Sequence, residues 1–157
     1  MTKSNKKGFT LIELLVVIAI IGLLSTLAVV ALNSARQKSR DSKRVADIKQ
    51  IQTALELYFA DNNRYPDMAT NTELGTSSTN KLCGTGTFAG TCTGTTYMGL
   101  VPSKPTPNDG TACASADNRY MYESDSPNST YTLTFCLGGT VGDLSAGLHT
   151  ANPNGIQ

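Results

Sequence analysis

Residues 9–32 form a run of 24 positions interrupted only by Thr10, Glu13, Gly22, Ser25 and Thr26. As an α-helix the run spans about 36 Å, more than the ~30 Å hydrocarbon core of a bilayer. A chain carrying such a segment must give it lipid or other protein to lie against. Two details separate it from a plain anchor. Lys3, Lys6 and Lys7 precede it, followed directly by Gly8. Glu13 lies one turn inside, where a carboxylate in hydrocarbon costs about 2.5–3.5 kcal/mol. An acid kept at that cost marks a functional position, beside the plainer reading of an acid snorkelling to the headgroups near the helix start. The run exceeds the ~7–15 apolar residues of a secretory signal, although Val29-Val30-Ala31 offers small residues for a cleavage site.

Charge and cysteine content bound the remainder. The net charge is +1, and losing residues 1–8 turns it to −2. Neither value fits a strongly nucleic-acid-binding protein. Residues 64–157 hold four basic and seven acidic side chains, so the basic excess sits in the leader and in residues 36–49. Cys83, Cys92, Cys113 and Cys136 all fall in the C-terminal part. Behind an export signal, an even set suggests two disulfides in an oxidising compartment, with three possible pairings. A zinc site is the competing reading, but no Cys-x-x-Cys pair occurs and His149 stands far off. Counted by flanking basic residues, the C-terminal side of the run would stay inside, with Arg36, Lys38, Arg40, Lys43 and Arg44 against three lysines. The cysteines argue for the opposite orientation, and we follow them.

From Asn33 to Asn63 there is neither Pro nor Gly, and Val45, Ile48, Ile51, Leu55 and Tyr58 recur at steps of three and four. That is the stripe of an amphipathic helix. The charges from Arg36 to Lys49 read as its solvated face. Tyr65-Pro66 ends the helix. Residues 9–63 then make one helix of about 80 Å, half membrane-spanning and half amphipathic. Residues 70–96, with 10 Thr and 5 Gly in 27 positions, read as a surface loop that a Cys83–Cys92 bridge would restrain. Tyr97 to Val101 reads as a short strand, and Pro102, Pro105 and Pro107 as a turn-rich link. Residues 119–123 and 129–137 alternate as two strands of a hairpin, with Tyr131, Leu133, Phe135 and Leu137 on one face. The hairpin brings Cys136 towards Cys113, the expected second bridge. Residues 138–157 offer little to pack. The fold class is α+β: a long helical stem on a small antiparallel sheet. The divisions are 1–8 leader, 9–32 membrane helix, 33–63 stem and 64–157 head.

Lys6-Lys7-Gly8-Phe9-Thr10-Leu11-Ile12-Glu13 with its apolar helix resembles the prepilin signature of type IV pilins and of type II secretion pseudopilins. The likeness is close over residues 6–24 and looser to Tyr65-Pro66; the hairpin region resembles the small sheet of the G-type major pseudopilins. The resemblance implies cleavage between Gly8 and Phe9 by a prepilin peptidase, N-methylation of Phe9, and pairing of Glu13 with the amino terminus of a neighbouring copy. A carboxylate and an ammonium ~4 Å apart attract by about 4 kcal/mol at an effective dielectric near 20, enough to offset the cost of burying the acid. It further implies a homo-oligomeric helical filament built by pilus or secretion machinery. The subunit would be held in membrane lipid with an extracytoplasmic head before assembly, and extracellular afterwards. Val30 stands where many members carry a helix-bending proline, so a straighter stem is expected, with any unwinding near Gly22.

Within this resemblance a surface pilus subunit and a secretion pseudopilus subunit compete. The Thr/Gly-rich loop and two bridges favour the pilus. Catalysis is not expected: His149 is the one histidine, and no nucleophile elbow, phosphate loop or metal-ligand helix occurs. No cofactor is expected either. Asp109, Asp117, Glu123 and Asp125 are weak calcium candidates, since G-type pseudopilins hold calcium in this region; no calcium-loop spacing is present, and turn acids are the competing reading. Asn128-Ser129-Thr130 is a formal glycosylation acceptor.

Overall fold

A computed structural model describes residues 8–68, 70–109, 113, 118–125 and 127–157. One helix, α1, runs Leu11–Asn62, 52 residues. It crosses between two compact units, Met1–Arg36 and Gln37–Gln157.

In the first unit every described residue is exposed. The apolar side chains from Phe9 to Leu32 point outwards on all sides of the helix, with Leu11 81% and Val30 69% accessible. The segment is long and apolar enough to cross a membrane, with a mean hydropathy of 2.9 over its most apolar window. Helical structure continues through Gly22, where an added Cβ would meet nothing within 4 Å.

In the second unit α1 turns one face to a core. Asp41, Arg44, Ile48, Ile51, Leu55 and Tyr58 are all buried, at steps of three and four. The period of 3.6 places them on one side of the helix. Fully burying an Ile or Leu contributes about 1.5–3 kcal/mol, so Ile48, Ile51 and Leu55 anchor this face. Asn63 terminates the helix with φ +53°, its N–H donating to Phe59 O at 2.7 Å. Asparagine tolerates this left-handed cap because its short polar side chain bonds locally. Tyr65 N–H then donates to Asn128 O at 2.8 Å, which turns the chain onto the sheet.

Among the described residues eight strands follow: β1 Thr72–Glu73, β2 Lys81–Cys83, β3 Phe88–Ala89, β4 Thr96–Met98, β5 Met121–Ser124, β6 Tyr131–Leu137, β7 Gly147–Asn152 and β8 Gly155–Ile156. They build a five-stranded sheet in the order β1-β5-β6-β7-β8 and a three-stranded sheet in the order β3-β2-β4, with antiparallel pairing throughout. β5 and β6 pair as Tyr122↔Leu133 and Ser124↔Tyr131. Tyr131, Leu133, Phe135 and Leu137 are buried as the alternation requires. An aromatic chain runs through the core, with Phe59–Tyr65 and Tyr65–Tyr131 centroids both 4.7 Å apart and Tyr122–Phe88 5.0 Å apart. Disulfides join Cys83 to Cys92 and Cys113 to Cys136.

Three expectations need correction. Residues 70–96 are not simply a surface loop: they supply β1, β2 and β3, and Leu74, Leu82 and Phe88 are buried. Strands of two or three residues are too short to display a period, and β1 pairs with β5 far along the chain. Residues 138–157 do pack. β7 pairs along β6, with Phe135 opposite His149, and β8 closes the edge. Here the alternation is inverted, since Leu148 is exposed while His149 and Ala151 are buried. The charges of the stem are not all solvated either: Asp41, Arg44 and Asp47 are 0%, 0% and 5% exposed.

Candidate functional site

Gly8, Phe9 and Thr10 lead into α1 in non-helical conformation. A Cβ on Gly8 would meet nothing within 4 Å, so its backbone stands open. A residue without a side chain lets a protease close on the peptide bond. Phe9 is 89% exposed. With Ile12, Glu13, Val16 and Val17 it lines a shallow, largely apolar groove of about 360 Å³.

Thr10 and Glu13 cap the helix reciprocally. The Glu13 carboxylate, through Oε2, accepts Thr10 N–H at 2.8 Å and Thr10 Oγ1 at 2.6 Å. Thr10 Oγ1 in turn accepts Glu13 N–H at 3.3 Å. This is a capping box, which satisfies two backbone donors that a helix start would otherwise leave orphaned. It also fixes the position of the acid. Among the described residues Glu13 Oε1 accepts no hydrogen bond, so one carboxylate oxygen is committed to the cap and the other is not. Thr10 was not singled out from sequence, although Thr-x-x-Glu ahead of an apolar run is the signal that would have found it.

The head carries a second cluster that the sequence did not reveal. Arg44, fully buried, donates through Nη1 to Asp41 Oδ1 at 2.7 Å and to Asp109 Oδ2 at 2.6 Å, and through Nη2 to Asn118 Oδ1 at 2.8 Å. Arg40 Nε donates to both oxygens of Asp109, at 2.8 and 2.9 Å, and its Nη2 adds a further bond to Oδ1. Asp41 also accepts the backbone N–H groups of Gly138 at 3.0 Å and Gly139 at 2.9 Å. Only glycine fits at 138, because a Cβ there would lie 2.5 Å from Asp109 Cβ. Burial pushes the Asp109 carboxyl up, but hydrogen bonds from Arg40 and then Arg44 outweigh this and hold it below the ordinary carboxylate range. Nearby, Asp47 Oδ2 accepts Lys43 Nζ at 2.8 Å and Tyr120 Oη at 3.0 Å.

The remaining candidates are scattered. Glu123 is exposed. Asp125 caps the β5–β6 turn, accepting Thr130 N–H at 2.8 Å and Ser129 Oγ at 2.9 Å. Those bonds, the one from Thr130 first, hold its carboxyl below the usual value. Asp117 lies outside the described residues. Among the described residues no three His, Cys, Asp or Glu side chains gather as metal ligands. His149 is spent on structure, with Nε2 2.8 Å from Ser145 O and Nδ1 3.1 Å from Gln157 O.

The N-terminal segment also has counterparts elsewhere. Residues 3–29 match the family model of the prokaryotic N-terminal methylation motif. The type IV wide pilus major component PilA4 of Thermus thermophilus is 34% identical over 126 residues, covering 71% of this chain and 94% of that protein. The chain belongs to the family of type IV pilins and type II secretion pseudopilins. A higher identity over a shorter stretch is found with type II secretion system core protein G of Aeromonas hydrophila, 46% over 66 residues, or 42% of this chain and 46% of that protein. The chain thus spans under half the length of such relatives. The type IV major pilin PilA of Myxococcus xanthus is 30% identical over 114 residues, 73% of this chain and 50% of the relative. No solved structure matches significantly. The apolar first unit fits a membrane anchor.

Proposed function

We propose that this chain is the building subunit of a type IV pilus. Prepilin peptidase cleaves it after Gly8, Phe9 is N-methylated, and Glu13 takes the amino terminus of a neighbouring copy. One observation carries the reading: the apolar side chains from Phe9 to Leu32 are exposed on every side of α1. Before assembly lipid covers them, and afterwards other copies do. The geometry of Glu13 supports the pairing. The Thr10 cap holds the carboxylate at the helix start through Oε2, which leaves Oε1 for an ammonium. That attraction, about 4 kcal/mol at 4 Å and a dielectric near 20, is of the size needed to hold an acid in the apolar core of a fibre.

A pseudopilus subunit is the second reading, favoured by the higher identity to core protein G. The extent of the matches supports the pilus. Similarity to core protein G covers 42% of this chain, whereas similarity to PilA4 spans 94% of that protein and so includes a head.

The test is assembly by a Glu13→Ala variant. Mass spectrometry is expected to find Phe9 as a methylated first residue in both proteins, while electron microscopy finds fibres with the parent and few or none with the variant. Abundant normal fibres from the variant would remove the pairing role, and a mature chain starting near Leu32 would remove the filament reading altogether.

A further inference from the structure

The resemblance to G-type pseudopilins makes Asp109, Asp117, Glu123 and Asp125 weak calcium candidates, and the structure allows a test of fit at Asp109. Calcium takes six to eight oxygen ligands at about 2.3–2.6 Å. Asp109, only 2% exposed, has both oxygens engaged by guanidinium groups, three bonds from Arg40 and one from Arg44. Arg44 links the same carboxylate to Asp41 and Asn118, and Asn118 Nδ2 donates to Asn108 Oδ1 at 2.6 Å. The charges already balance, with Asp41 and Asp109 against Arg40 and Arg44. A divalent ion would leave two uncompensated positive charges among buried groups, which is costly in a low-dielectric interior. Gly138, pressed against Asp109, leaves no spare volume on that side. Among the described residues, those around Asp109 do not fit calcium.

We propose that Arg40 and Arg44 are the resident cations of this head. They hold Asn108, Asp109 and Asn118 onto α1 where the resemblance would put calcium, and the head folds and keeps its shape without any divalent ion. A planar guanidinium suits the task, since it presents several donors in a fixed fork and one Arg44 side chain reaches three residues at once. The arrangement also releases the subunit from the calcium concentration outside the cell. The inference concerns the head alone and stands whether the fibre is a pilus or a pseudopilus.

The experiment follows thermal unfolding of the full chain in detergent micelles, with millimolar calcium or with a chelator. The same midpoint is expected in both. A calcium-holding head at a hundredfold excess over its Kd would instead rise by roughly 10 °C. Arg44→Met removes the central cation, and Arg40→Gln, at a partly exposed position, is the milder variant should the first fail to fold. Both variants are expected to melt several degrees lower and to exchange the Gly138 and Gly139 amide protons faster. A calcium-dependent rise of the parent protein, or parent-like melting and exchange in Arg40→Gln, overturns the proposal.

Discussion

Thr10 and Glu13 show how one side chain can serve two ends. A carboxylate in hydrocarbon needs a hydrogen-bond donor, and the first turn of a helix has donors without acceptors. The capping box answers both needs within one chain, before any second copy arrives. Thr10→Val keeps the shape and removes the hydroxyl. Loss of an N-cap costs about 0.5–2 kcal/mol. Faster amide exchange is expected at Leu11, Ile12 and Glu13 in the micelle-bound chain, with the head unchanged. Unaltered exchange there would show that the cap contributes nothing to the helix start.

Among the elements, the three-stranded sheet depends most on covalent help. β2, β3 and β4 are two or three residues long, and a strand pair of that length is marginal by itself. The Cys83–Cys92 bridge closes nine residues around β3 and leaves Leu82 and Phe88 buried beside it. Closing a short loop removes unfolded-state entropy worth about 2–3 kcal/mol. The double variant Cys83→Ser, Cys92→Ser is therefore expected to lower the melting midpoint by several degrees. Amide exchange should accelerate in β2 and β3 while β6 stays protected. A uniform loss of protection would instead mean that both sheets unfold as one unit.

The whole head has a stability window set by groups in its interior. Asp109 and Asp125 titrate below the ordinary carboxylate value of 3.8. Their stabilising contribution is present above that value and is lost as pH falls through their lower folded pKa values. At the alkaline end, burial raises the Tyr65, Tyr120, Tyr122 and Tyr131 hydroxyls above 10, with Tyr131 pushed up to about 12. Here the contribution is whole below ~10 and disappears as pH rises through the folded values. The melting midpoint is expected to stay level from about pH 5 to 9 and to decline on both sides. Absorbance at 295 nm should show most tyrosines ionising only as the head unfolds. Full ionisation near pH 10 in a folded head would contradict the burial of these side chains.

The N-terminal half was legible because its signals are local. Apolar content with a basic leader marked the anchor, and steps of three and four marked the face that α1 buries. Both are consequences of helix geometry acting on near neighbours in sequence. The β5–β6 hairpin was legible for the same reason, its two-residue alternation surviving into the structure. Tertiary structure alone decided the rest. β1 exists through β5, far along the chain, β2, β3 and β8 are too short to show an alternation, and His149 goes inward while Leu148 faces water because β7 takes its register from β6. Asp41 and Arg44 look like solvated helix charges until Asp109, 65 residues beyond Arg44, arrives beside them. Their spacing continues the stripe of Ile48 and Ile51, but only the fold supplies the Asp109 and Asn118 partners that let a charge be buried there. The sequence determined that there is a helix apolar enough to cross a membrane, an N-terminal methylation motif and a helix with one buried face; the fold decided that the charges on that face are its internal cations and anions, because only the assembled head removes them from water.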